Sequence, residues 1–278
     1  MEDQRAKEVH EGGEFLQNQD EVILQEKEGA GYSATDRIIY VVTAPKRGFA
    51  GLLGARLGPV IGVSLTMAII IGVISTALVF SSDDFIEELR TQEMERVEEQ
   101  LEDPSLSADQ RKRIEEAQEQ FDTLSKDFLL LTAVASTVIG TPIIALLVAL
   151  LVFLIAKILE QGRETQVKYS HSMAVASLGG IVYLLGGLII AGITRITENP
   201  KTASGLAGII KSDSVFAQTL LGAISLPTIW WIIVIGIGIA AIARTTVGKP
   251  TLIFALTFLF LAALWGAIAQ AVGGMFGI

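Results

Sequence analysis

FLLLTAVASTVIGTPIIALLVALLVFLIA, residues 128–156, runs for 29 residues without an Asp, Glu, Lys, Arg or His. A helix rises about 1.5 Å per residue, and about 20 apolar residues cross the ~30 Å of bilayer hydrocarbon. The segment is therefore long enough to span a membrane. Four more windows are equally free of charge: 57–82, 172–194, 214–243 and 250–278. Each passes the same length test, and the five windows together make up about half of the 278 residues. The chain is 51% hydrophobic and 18% charged, with a mean hydropathy of +0.53. Ordinary soluble proteins carry about 25% charged residues. This predicts an all-α integral membrane protein, with transmembrane helices at about 58–80, 128–156, 172–194, 219–243 and 250–274 and the lipid bilayer as its solvent.

Outside the windows the charges separate by sign. The net charge is −9, but residues 1–36 hold ten acids against three bases, and residues 81–127 hold sixteen against six. The remainder is net positive. No stretch has the basic patch that nucleic acid requires. Zero cysteines exclude a disulfide, a thiolate nucleophile and a thiolate-bound metal. The acidic N-terminus does not resemble a cleavable signal peptide, so the first span is expected to serve as the insertion signal.

Lys and Arg in short flanking loops set membrane orientation. Arg37, Lys46, Arg47 and Arg56 precede the first span; Lys157, Arg163 and Lys168 join the second to the third; Arg244 and Lys249 join the fourth to the fifth. Alternation then predicts a cytoplasmic N-terminus and an extracytoplasmic C-terminus. Residues 1–34, rich in acid, Gln and Gly, are expected to form a disordered cytoplasmic tail, with 35–278 as the membrane domain. Phe49, Leu52, Leu53 and Leu57 recur at helical spacing beside basic residues, which predicts a short amphipathic helix at the interface.

Residues 81–127 read as an acidic, extracytoplasmic helical hairpin between the first two spans. Residues 82–102 lack Gly and Pro, Pro104 breaks the helix, and Ser107-Ala108-Asp109-Gln110 is a capping-box pattern. Phe85, Leu89, Val97 and Leu101 offer one apolar face, and Ile114, Ala117, Phe121, Leu124 and Phe128 form the facing stripe.

Small residues let helices approach closely in lipid. Ser64, Ala68, Gly72 and Thr76 fall in a row on span one; Gly186 and Gly187 lie in span three, and Gly236 and Ala240 in span four. These read as packing within one bundle, with the seam of a homo-oligomer as the alternative. Pro142 and Pro227 lie in spans two and four and can kink them. Window four exceeds one crossing, so an interfacial portion is expected near Ser214–Leu221, before the helix enters around Ile224–Pro227. Ion-coupled pumps place ionisable groups in their spans; these windows hold none of the charged types or His, which argues against a pump.

Enzyme chemistry finds no support. His10 and His171 are the two histidines, and His10-Glu11-Gly12-Gly13-Glu14 lacks the second His of a zinc helix. Gly248-Lys249 lacks the first Gly of a phosphate loop, since Ala243 stands there. No catalytic residue, metal ligand or cofactor site is predicted.

Val41-Val42-Thr43-Ala44-Pro45-Lys46-Arg47-Gly48-Phe49 resembles the pre-membrane segment of the Yip1-domain membrane proteins. Leu221-Gly222-Ala223-Ile224-Ser225-Leu226-Pro227-Thr228-Ile229-Trp230-Trp231, then Ile235-Gly236-Ile237-Gly238 and Gly248-Lys249, resembles the fourth span and basic turn of the bacterial branch. Leu226-Pro227 departs from the polar–aromatic pair usual there. The resemblance covers about 36–278 and implies a five-span, non-catalytic protein. It implies other membrane proteins as partners: small GTPases and one another for eukaryotic members, and for some bacterial members an ABC exporter with its periplasmic adaptor. It therefore points to an accessory or scaffold protein of the bacterial inner membrane. The alternative is a transporter or permease subunit with a substrate path past Pro142 and Pro227. Phe85, Leu89, Val97, Ile114, Phe121, Leu124, Pro142, Gly186, Gly187, Pro227, Trp230 and Gly236 are the candidate interaction or packing residues.

Overall fold

A computed structural model of the chain describes residues 29, 31–101, 107–122, 124–160, 166–197, 205–207, 210 and 214–276. The tail expected over 1–34 lies almost wholly outside these residues, as does Pro104. In chain order the helices are α1 (Ala34–Thr43), α2 (Pro45–Phe49), a 3-10 turn (Leu52–Gly54), α3 (Leu57–Phe80), α4 (Asp83–Leu101), α5 (Ala108–Asp122), α6 (Lys126–Leu159), α7 (Tyr169–Thr197), α8 (Val215–Ala223), α9 (Leu226–Ala243) and α10 (Gly248–Phe276). No strand occurs among the described residues. Helices α3, α6, α7, α9 and, through Gln270, α10 are long and apolar enough to cross a membrane.

Their outer faces fit that solvent. Leu147, Leu150 and Leu154 on α6 and Phe260 and Trp265 on α10 are all exposed, Trp265 by 67%. In water so much apolar surface would drive association; against acyl chains it is matched, and helices satisfy their own backbone there. The interior is built around α7, which packs on α3, α6 and α9. Val175 and Leu178 of α7 meet Val234, Ile235 and Ile239 of α9 in one buried cluster.

The fourth window is two helices. α8 is capped by Ser214, whose hydroxyl accepts from the Ala217 N–H at 3.4 Å. The chain leaves helical geometry at Ile224 and Ser225, and α9 then starts with Ser225 as its cap. Pro227 thus sits in the first turn of α9, where its missing N–H would have had no intrahelical partner. It starts a helix and does not kink one. Pro142, by contrast, is interior to α6, which continues helical through it to Leu159.

The segment before α3 is not one amphipathic helix on the interface. Gly51, at φ 63°, turns the chain sharply after α2, so Phe49 and Leu52 belong to different elements. Both are buried with Val41 in the main core cluster, where α2 packs on α9. Close packing against the neighbouring helices, which fluid acyl chains do not match, favours this inward fold over an interfacial one.

Candidate functional site

Three regions concentrate polar contacts: a cap formed by Gly29 and residues 31–54 at the N-terminal end of the bundle, the base of the hairpin at the other end, and the seams between spans.

Arg37 organises the cap. Its guanidinium is fully buried and donates to three carbonyls: Nη1 to Gly48 at 3.1 Å and to Ala50 at 2.7 Å, and Nη2 to Gly29 at 2.5 Å. The Gly48 and Ala50 carbonyls close the C-terminal end of α2, where helix carbonyls carry partial negative charge. The guanidinium lies over the Tyr32 ring at 5.9 Å. Burial pushes the Arg37 pKa down and the Tyr32 side chain opposes that shift, yet a guanidinium stays charged in proteins. Upstream, Ser33 and Asp36 form a reciprocal capping box at the start of α1, which holds the exposed Asp36 carboxyl below its usual range. Gly48 lies where any Cβ would come 2.7 Å from the Val41 N, so α1 and α2 touch backbone to backbone.

The end of α6 and the start of α7 meet beside the cap. Glu160 accepts from Lys157 Nζ at 2.7 Å and from the Val167 N–H at 2.5 Å. Burial opposes its ionisation, but the Lys157 ammonium, the Val167 N–H and the nearby His171 outweigh it and hold its carboxyl below the usual value. His171 Nδ1 accepts from the Lys168 N–H at 3.0 Å, and the ring also hydrogen-bonds the Leu53 backbone. The start of α7 is thereby tied to the 3-10 turn.

At the opposite end, α4 and α5 pack on one another. The capping box at Ser107 forms: its N–H donates to Gln110 Oε1 at 2.9 Å, and its hydroxyl accepts from the Gln110 N–H at 3.3 Å. Lys126 Nζ donates to the Ser81 carbonyl at 3.0 Å and to the Asp83 carboxylate, joining the end of α3 to the start of α6. That hydrogen bond, with the charges of Lys126 and Arg195, holds the Asp83 carboxyl below its usual range. Arg90 Nη2 donates to the Leu124 carbonyl at 2.9 Å and pins α4 to the segment that leads into α6.

Of the candidate hairpin residues, Phe85 is half-buried and meets Phe80 edge-on at 5.6 Å, so it seats the hairpin on α3. Val97, Ile114 and Leu124 are half-buried. The side chains of Leu89 and Phe121 lie outside the described set. In the seams, a Cβ on Gly186 would come 2.5 Å from Pro227 Cβ, and one on Gly236 would come 2.0 Å from Thr251 Oγ1. The space beside Gly187 is open. Pro142 is half-buried and Trp230 exposed. The aromatic hub is instead the neighbouring Trp231, within 5.6 Å of Tyr183 and Phe258 and 5.3 Å of Phe254. Thr76 and Thr137 share a hydrogen bond of 3.0 Å across α3 and α6.

Sequence reasoning missed the inward turn of Arg37, the Glu160 and His171 contacts, and Trp231. The available signal was Arg37 itself, one residue after a capping-box pattern and ahead of an apolar run. Among the described residues no group of three or more His, Cys, Asp or Glu could hold a metal ion.

A bundle of five membrane-crossing helices, built around an apolar third helix, defines a multi-pass integral membrane protein. The family model of the Yip1 domain matches residues 39–269, and the chain belongs to the Yip1-domain family. No curated protein and no solved structure matches it.

Proposed function

We propose that this Yip1-domain protein is a non-enzymatic scaffold or accessory protein that binds other membrane proteins, with an ABC exporter and its periplasmic adaptor as the partner class. In this reading it resides in the bacterial inner membrane with its N-terminus cytoplasmic. The observation that carries the reading is the hairpin. Two helices rich in acid, α4 and α5, are tied at their base through Lys126, Ser81, Asp83 and Arg90. A held, acidic edge of this kind suits a basic partner surface by charge complementarity.

The test exchanges residues 84–125 for a short Gly/Ser linker in the full-length protein and measures membrane insertion and partner copurification. Insertion should persist while copurification falls. Copurification that survives unchanged would remove the docking role from the hairpin. The transporter alternative draws on the helical discontinuity at Ile224–Ser225, since broken helices can line substrate sites. Here, though, the Ile224 carbonyl accepts from the Leu206 N–H and the Ser225 hydroxyl meets Thr228, so the break satisfies its own polar groups. Reconstitution with the candidate exporter separates the two: a permease subunit changes flux, a scaffold alone does not.

A further inference from the structure

We propose that the N-terminal end of the bundle is a binding surface for anionic phospholipid headgroups. Exposed cations gather there from four places along the chain: Lys46 and Arg47 on α2, Arg56 at the start of α3, Lys168 before α7, and Lys249 in the first turn of α10. The fold brings these parts together. Phe49 of α2 lies against the Gly238 position of α9, α9 leads directly into α10, and the Leu53 backbone bonds His171 of α7. Arg37 fixes α2 in this arrangement through the Gly48 and Ala50 carbonyls.

The carboxylates described at this end are already engaged. Asp36 accepts from the Ser33 N–H and hydroxyl, and Glu160 from Lys157 and the Val167 N–H. The ion pairs among the described residues involve none of the five cations. Phosphate oxygens are natural partners for Arg and Lys, as a bidentate fork and as a point charge respectively.

A lipid, and not free phosphate, fits because exposed apolar side chains occur on α1, at the end of α6 and on α10 one turn from Lys249. Ile39 is 54%, Ile158 61% and Leu252 61% exposed. A phosphodiester at the rim would thus have its acyl chains laid along α6 and α10. Cationic side chains flanking membrane helices recognise anionic headgroups in this way. The inference is independent of the scaffold reading and holds whether or not the hairpin docks a partner.

The test uses the full chain reconstituted in phosphatidylcholine bilayers with tracer spin-labelled phosphatidylglycerol or spin-labelled phosphatidylcholine, reading the motionally restricted fraction of each. The wild type should prefer phosphatidylglycerol by about threefold, and the preference should shrink as salt rises from about 0.05 to about 0.5 M. Lys46→Gln with Arg47→Gln, and separately Lys168→Gln with Lys249→Gln, should each lower the preference. Lys112→Gln with Arg113→Gln on the hairpin should leave it intact. Because each pair is tested alone, one misfolded variant does not decide the matter. Equal association of the two lipids in the wild type, or an unchanged preference in both rim pairs, would overturn the proposal. So would full competition by soluble glycerophosphoglycerol, which would mark a phosphodiester site indifferent to lipid.

Discussion

At Arg37 a full positive charge is held away from water by three carbonyl oxygens and the face of Tyr32. Hydrogen bonds from a charged donor contribute more than neutral ones, and removing the donor leaves acceptors without partners. Arg37→Met should therefore cost about 2–4 kcal/mol in unfolding experiments in detergent micelles. Trypsin should also cut faster after Lys46 and Arg47, because α2 would be released. Arg37→Lys should recover only part of the loss, since a compact ammonium cannot span the guanidinium's fork. Glu160 makes a pH-dependent contribution of defined sign. Its folded pKa lies below the unfolded value, so its ionised form stabilises the fold. That contribution is complete above the ordinary carboxylate value of about 4.3 and disappears as pH falls through the lowered folded value. Glu160→Gln should melt below wild type at neutral pH, with the gap closing in acid. A gap that persists in acid would assign the effect to packing.

At the scale of elements, the close approaches between spans differ sharply even between adjacent glycines. Gly186→Ala places a methyl group on Pro227 and should cost about 1–3 kcal/mol, whereas Gly187→Ala faces open space and should stay within about 0.5 kcal/mol. Paired thermal melts in one detergent check both. This contrast also shows what the sequence could disclose. A span announces itself by the absence of charge, and a helix start by Ser with its partner three residues on, so α3, α6, α7 and the Ser107 box were legible. The break in window four was legible in its excess length and in Pro227. Which side of a helix faces a neighbour was not, because α3, α6, α9 and the stretch of α7 around its glycines are apolar nearly all round. Hence Trp230 was favoured over the buried Trp231, and Gly186 and Gly187 read alike. The cap was hidden for another reason: Arg37, Lys46, Arg47 and Arg56 look equivalent as flanking cations, and only the carbonyls of Gly29, Gly48 and Ala50, brought round by the turn of the chain, draw one inward.

For the whole molecule, five crossings would place the two chain ends on opposite sides of the membrane. The proposed direction, N-terminus cytoplasmic, follows from the basic linkers. Reporter fusions within 161–165 and after Phe276 should score as cytoplasmic and extracytoplasmic respectively. A cytoplasmic signal at the C-terminus would mean that α9 does not cross. The way the cap closes bears on how the protein is made. Residues 31–54 leave the ribosome before any of the five spans, yet Leu53 bonds His171 and Phe49 rests on Gly238, both synthesised much later. Phe49, which rests on α9, therefore lacks part of its cover while α3, α6 and α7 insert, and gains it when α9 arrives. Closure of the N-terminal cap is thus a late step of biogenesis. A nascent chain stalled before α9 would display an open, sticky N-terminus, a mark by which quality control could tell unfinished copies from complete ones.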